Sequence, residues 1–173
     1  MADEDKLLSS LIRHGWRVIR NRHRVDLLPD ELRQRYQRLP TDVESFLGDL
    51  DACINPNETV WFLTHADYRR NHDGEFRWNE HELMCVDAAE GDLAELELVR
   101  EYWNSHFPFM FAVNSDYDYL AIDLNSDTFG QVVHGCMPEP EKSNHVADSF
   151  SEFEDLLISS LCGIPEYPFS IFV

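Results

Sequence analysis

Histidines beside acids are the first residues in this chain that invite a chemical reading. His81-Glu82-Leu83-Met84-Cys85 opens as a zinc-protease helix opens, with an imidazole ligand followed by a general-base glutamate. The second histidine, due four residues on, is replaced by Cys85. His65, Asp67, His72 and Asp73 offer imidazole and carboxylate ligands close together, but their spacing matches no established ligand pattern. Asp123, Asn125 and Asp127 alternate as the first ligands of a calcium loop do. The sixth position is Thr128 instead of glycine and the twelfth is His134 instead of glutamate, so a turn is the better reading. Phosphate loops, nucleophile elbows and dinucleotide fingerprints are absent, and seven glycines leave little material for them. The motifs imply no metal, no cofactor and no catalytic set. An enzyme reading rests only on the nearness of His65, His72 and His81 to acids.

Binding chemistry is better represented. Asp116 and Asp118 alternate with Tyr117 and Tyr119, so a strand through them sets the acids on one face and the tyrosines on the other. Two readings stand side by side: a half-solvated strand over a buried tyrosine face, or an acidic recognition row for a basic partner. Trp78 and Glu80 extend the second reading with an aromatic anchor and a further acid. The partner-binding candidates are therefore Asp116, Tyr117, Asp118, Tyr119, Trp78 and Glu80.

Charge points the same way. Thirty-three acids against 14 Lys and Arg give −19, a field that repels nucleic-acid phosphates and anionic lipid heads and attracts a basic protein. The balance is uneven: residues 1–38 sum to +3 and residues 39–173 to −22. Cys53, Cys85, Cys136 and Cys162 are widely spaced and suit free thiols in a reducing compartment. The first residues lack the basic start and apolar stretch of a secretory signal, and no run approaches the ~20 apolar residues of a membrane span. The expected location is the cytoplasm.

These residues must be positioned by elements legible in the hydrophobic period. Leu7, Leu8, Leu11, Ile12, Gly15, Val18 and Ile19 predict an amphipathic helix over 3–20, with Arg13, Arg17, Arg20 and Arg24 on another face as a solvated stripe or a lid or dimer arm. Short helices are expected from Pro29 to Arg38 and after Pro40, the latter burying Val43, Phe46, Leu47 and Leu50. Residues 59–63 read as a strand, 67–80 as polar and turn-rich, and 92–104 as a helix with Leu93, Leu96, Val99, Tyr102 and Trp103 inward. Strands at 109–113, 117–123 and 130–135 form a meander, antiparallel because their connections are too short for crossovers. Ser149-Phe150-Ser151-Glu152 is a capping box opening a helix that buries Phe150, Phe153, Leu156, Leu157 and Leu161. The tail, 167–173, is expected as a last strand or extended segment.

The order of these features resembles the Smi1/Knr4 (SUKH) superfamily. The similarity rests on Leu39-Pro40 before a helix ending in Phe46-Leu47, then Trp61-Phe62-Leu63, Trp78-Asn79-Glu80, Phe107-Pro108, Tyr119-Leu120-Ala121-Ile122-Asp123-Leu124, Gly130-Gln131-Val132-Val133, and Ser149-Phe150 with Phe153-Glu154. It covers residues 39 to about 161. Two places depart from it: Asp49-Leu50-Asp51 stands where Asn-Gly is frequent, and Asn114-Ser115-Asp116 where a glycine-rich turn is frequent.

The resemblance implies an α+β fold, a mostly antiparallel sheet flanked by helices, with no catalytic residues to carry over. It also implies a protein-binding role, either immunity against a toxin, often a nuclease, or regulation through an endogenous partner. The expected organisation is an N-terminal helical extension with basic bias over 1–38 and a SUKH-like domain over 39–173. The expected partner is a basic protein such as a toxin, with neither nucleic acid nor membrane bound.

Overall fold

The computed structural model describes residues 4–23, 25–70 and 76–173. Among them, strands β1 (Arg17–Arg20), β2 (Leu50–Ile54), β3 (Val60–Phe62), β4 (His106–Ala112), β5 (Tyr119–Asp123), β6 (Val132–Gly135) and β7 (Ser143–Ala147) form one sheet. Spatial order is chain order and every neighbouring pair is antiparallel. The expected α+β class is thus found, and so is the central meander: Phe111 pairs with Tyr119 and Tyr119 with Gly135. Within β4, β5 and β6 the connections are short enough to allow only this arrangement, since a parallel neighbour would need a crossover of about a dozen residues.

The sheet is covered on both faces. On one lie α1 (Glu4–Arg13), α3 (Thr41–Gly48), α7 (Phe150–Cys162) and α8 (Phe169–Phe172). Their side chains meet those of the strands as hydrocarbon: Phe46 against Phe62 and Phe150, Phe109 against Phe150 and Phe153, Trp16 against Phe62. On the other lie α2 (Asp30–Arg35), α4 (His65–Arg69), α5 (Glu80–Ala88) and α6 (Leu93–Ser105). There the packing is by polar-tipped rings: Tyr36 and Tyr68 on Phe107, Trp103 and His81 on Tyr119. The Tyr119 ring lies across its strand partner Gly135, where a Cβ would fall inside the ring. Only glycine permits that approach.

Several elements differ from the sequence reading. The predicted helix over 3–20 stops at Arg13, because Gly15 takes a left-handed φ of 84° and closes the helix end, Trp16 N–H donating to the Leu11 carbonyl at 3.0 Å. Val18 and Ile19 then belong to β1, on the sheet edge beside β2. The arginine stripe dissolves accordingly, with Arg13 on α1, Arg17 and Arg20 on β1, and Arg24 outside the described residues. α1 is no lid; it packs on α7 and buries Leu7, Leu8 and Leu11. Leu50 opens β2 instead of closing α3. In α6, Leu93 is 82% exposed, not inward. The tail is no strand: Phe169 and Phe172 are buried on the short helix α8. The capping box of α7 is present in part, with Ser149 Oγ accepting from Glu152 N–H at 3.1 Å, while the Glu152 carboxylate accepts from Asp148 N–H at 2.7 Å.

Candidate functional site

The six partner-binding candidates do not form one patch. β5 begins only at Tyr119, so the acids and tyrosines before it are set by a turn. Asn114 Oδ1 accepts from the N–H groups of Asp116 and Asp118, at 3.3 and 3.2 Å, and Tyr117 takes a φ of 48°. This geometry points Asp116 out and Asp118 in. The expected alternation, both acids on one face, is therefore corrected: Asp116 is exposed and Asp118 is 2% exposed. Asp118 Oδ1 accepts from His134 Nε2 at 2.5 Å and Oδ2 from Asn114 Nδ2 at 2.6 Å. The other imidazole nitrogen of His134 faces the Tyr167 hydroxyl at 3.4 Å. A carboxyl group buried this deeply needs such hydrogen-bond partners.

The tyrosines divide in the same way. Tyr117 is 37% exposed, its ring stacked on Phe76 with centroids 6.4 Å apart. Tyr119 is fully buried, its hydroxyl donating to the Pro140 carbonyl and accepting from Tyr102 at 2.7 Å. Beneath Tyr117 lies His81, 1% exposed, whose Nε2–H donates to the Tyr117 carbonyl at 2.8 Å. Burial among Phe111 and Tyr119 lowers the His81 pKa to about 4, so the ring is neutral at neutral pH.

Trp78 sits toward the other end of β4. It is half-buried between Tyr36 and Tyr68, which both pack on Phe107, whereas Phe76 under Tyr117 packs on Phe111. The Arg35 guanidinium lies 5.8 Å from the Trp78 ring centroid and holds Glu82 with two bonds of 2.8 and 2.9 Å. Glu80 is also half-buried and closes the first turn of α5, accepting from Arg77 N–H at 3.3 Å. These are positioning roles, so Trp78 and Glu80 present only part of their surface.

The metal candidates are engaged elsewhere. His65 Nε2 meets Asp51 Oδ1 at 2.8 Å, and Asp67 accepts from Thr64 N–H and Oγ1 at 2.7 and 2.9 Å as the capping box of α4. His72 and Asp73 lie outside the described residues. Among the described residues no group of three or more His, Cys, Asp or Glu could hold a metal ion. Asp123 ends β5 and holds the turn that follows, accepting from Asn125 N–H at 2.9 Å and Thr128 Oγ1 at 2.8 Å. Burial pushes the Cys53 and Cys85 thiols up to about 12, which keeps both protonated.

With sheet order, helix placement and turns established, the family can be tested directly. The model of the SMI1/KNR4 family (SUKH-1) matches residues 27–155, from the segment before α2 into α7. The chain belongs to the SMI1/KNR4 family. No match emerged among curated proteins or among solved structures. The SUKH family is known for immunity-type protein-binding modules, and no helix among the described residues of this chain is long and apolar enough to cross a membrane.

In this SUKH-1 chain the sequence reading found α6 but missed α5, and with it the acidic α5–α6 hairpin. Residues 80–105 carry eight carboxylates and one arginine. Glu90 and Gly91, both at positive φ, make its turn, and Asp92 caps α6 by accepting from Ala94 and Glu95 N–H. Asp87, Glu90, Glu95, Glu97 and Glu101 enter no ion pair among the described residues. Beside them Leu93 and Leu98 stand out in solvent. α5 escaped notice because its buried positions, one helical turn apart, are His81 and Cys85 instead of leucines, with the buried C-cap Ala89 one turn further on. The spacing itself was available as a signal.

Proposed function

We propose that this SUKH-1 chain is an immunity protein, a binding module without catalysis that neutralises a basic, nuclease-type toxin in the cytoplasm by direct contact. The observation that carries the reading is the α5–α6 hairpin, where carboxylates free of ion pairs among the described residues flank exposed leucines. Carboxylates in such number steer a cationic partner, and apolar side chains among them give the complex its lifetime. Family membership supports the same reading. In it Asp116 and Tyr117 contribute the exposed part of a second contact, with Asp118 and Tyr119 as the support beneath, while Trp78 and Glu80 present a separate, half-buried surface.

The test begins with the reading frames beside the gene. A large toxin-like product should be encoded there, and its terminal toxin domain should be lethal when expressed alone. Co-expression with this chain should restore growth and yield a stable complex. A lethal neighbour that this chain neither binds nor neutralises would sink the proposal, and an endogenous partner recovered in its place would favour a regulatory adaptor.

A further inference from the structure

A groove of about 330 Å³ runs between α5, α6 and the loop that joins β6 to β7. Its walls are aliphatic: Met84 and Ala88 from α5, Leu98 and Val99 from α6, Met137 and Pro138 from the loop. At its base Glu141 Oε2 lies 3.6 Å from the Cys85 thiol, itself bonded by Trp103 Nε1–H at 3.4 Å. Glu95 stands at the rim. A carboxylate at the end of a hydrocarbon trough has a natural complement in a side chain with an apolar stem and a cationic head. The stem gains by leaving water, and the head finds a carboxylate acceptor. Leu98 is 62% exposed, so a wall of this groove still faces solvent and awaits cover.

We propose that this groove docks a lysine or arginine side chain flanked by aliphatic residues on the basic partner. The proposal rests on the binding-module reading above and names where and how the partner is held. The wider charge fits: Glu95 of the hairpin and Glu141 of the loop both line the groove, and the chain around them is strongly acidic. Cys85 takes part as a neutral donor. Its thiol keeps its proton because burial disfavours the thiolate, so it orients Glu141 and adds no competing charge.

The probe is acetyl-Leu-Lys-Leu-amide, with norleucine replacing lysine as the uncharged control, titrated into the whole isotope-labelled chain at physiological salt. Amide shifts should be confined to α5, α6 and the loop after β6. The lysine peptide should bind about tenfold more tightly than the norleucine peptide, the range of one hydrogen bond to a charged group. Glu141→Gln should remove that tenfold preference, and Leu98→Ser should weaken both peptides. Each variant is checked for folding by its own amide spectrum. Shifts scattered over acids outside the groove, or a lysine preference untouched in Glu141→Gln, would overturn the groove. The two proposals separate cleanly. A toxin bound with unchanged affinity by both variants overturns the groove and leaves immunity standing. Peptides bound in the groove with no toxin neutralised do the reverse.

Discussion

The two faces of the sheet bury comparable rings by different means. Under α7 the rings are phenylalanines, 46, 62, 109, 150 and 153, with no polar atom to satisfy. Under α4, α5 and α6 the phenylalanines 76, 107 and 111 are joined by rings with polar tips, three of which have a specified partner. Tyr36 donates to the Trp103 carbonyl at 2.9 Å, Tyr68 to the Pro108 carbonyl at 2.8 Å, and His81 to the Tyr117 carbonyl at 2.8 Å. Hydrocarbon packing is non-directional and accepts repacking within the same volume. Polar tips are directional, and a tip that loses its partner while buried is costly. The second face therefore fixes the α5–α6 hairpin and the 114–118 turn in one geometry, which the proposed binding role would use.

This difference can be broken most directly at Asp118. Asp118→Ala strands His134 inside the protein and takes an acceptor from the Asn114 amide at the surface, and the expected loss is about 3–5 kcal/mol, the range for breaking a buried pair by removing one partner. Phe153→Leu on the hydrocarbon face should cost only about 1–1.5 kcal/mol, since the replacement remains apolar and of similar bulk. Urea unfolding of both variants gives the comparison. Equal losses would mean that directionality adds nothing to the second face.

Where the sequence was legible follows the same division. Phenylalanines and leucines at helical or alternating spacing gave α6, α7 and the meander of β4, β5 and β6, because periodic burial of hydrocarbon is a local signal. β2 and β7 escaped because their polar residues carry no such alternation over a full strand. The polar face escaped for a deeper reason. Asp116 and Asp118 are the same residue type two positions apart, and only Asn114 bonding and the left-handed Tyr117 send one out and the other in. His134 becomes the partner of Asp118 through the β5–β6 register, in which Leu120 faces His134. That is a tertiary fact. The capping box of α7 and the turn at Asp123, by contrast, are local hydrogen-bond chemistry and were readable.

A second test uses acid. The unfolded-state pKa of His81 is near 6.5 and its folded value is lowered to about 4 by burial. Above 6.5 the ring is neutral in both states and no penalty applies. Between 6.5 and 4 the unfolded chain takes up a proton that the folded chain refuses, so stability falls as pH falls. The loss saturates below 4 at about 3 kcal/mol. His106, whose pKa burial also lowers, adds to the same trend. Unfolding free energies followed from pH 7 to pH 5 should decline in the wild type and decline less in His81→Gln, which can still donate to the Tyr117 carbonyl. An unchanged slope in that variant would remove His81 from the account and soften the contrast between the faces.

The smallest effect is the one that bears on recognition. Asp116 and Asp118 allow charge at the surface and charge in the interior to be compared within one turn. Asp116→Asn removes one of 33 acids from an exposed position without touching a packed group. Association with a basic partner should slow by no more than about twofold, and dissociation should not change, because exposed charges act over distance and are screened beyond a Debye length of ~8 Å near physiological salt. Asp118→Asn keeps the volume but withdraws the charge paired with His134, so its effect belongs to the unfolding curve and not to encounter. Raising salt should slow association of the wild type steeply and reduce the small difference between wild type and Asp116→Asn, while leaving the stability difference of Asp118→Asn nearly intact, since a pair buried to this degree is poorly screened. Stopped-flow association and urea unfolding at low and high salt supply both halves. A large change in dissociation rate from Asp116→Asn would put that acid at the centre of the interface, and the 114–118 turn would then replace the α5–α6 hairpin as the principal contact.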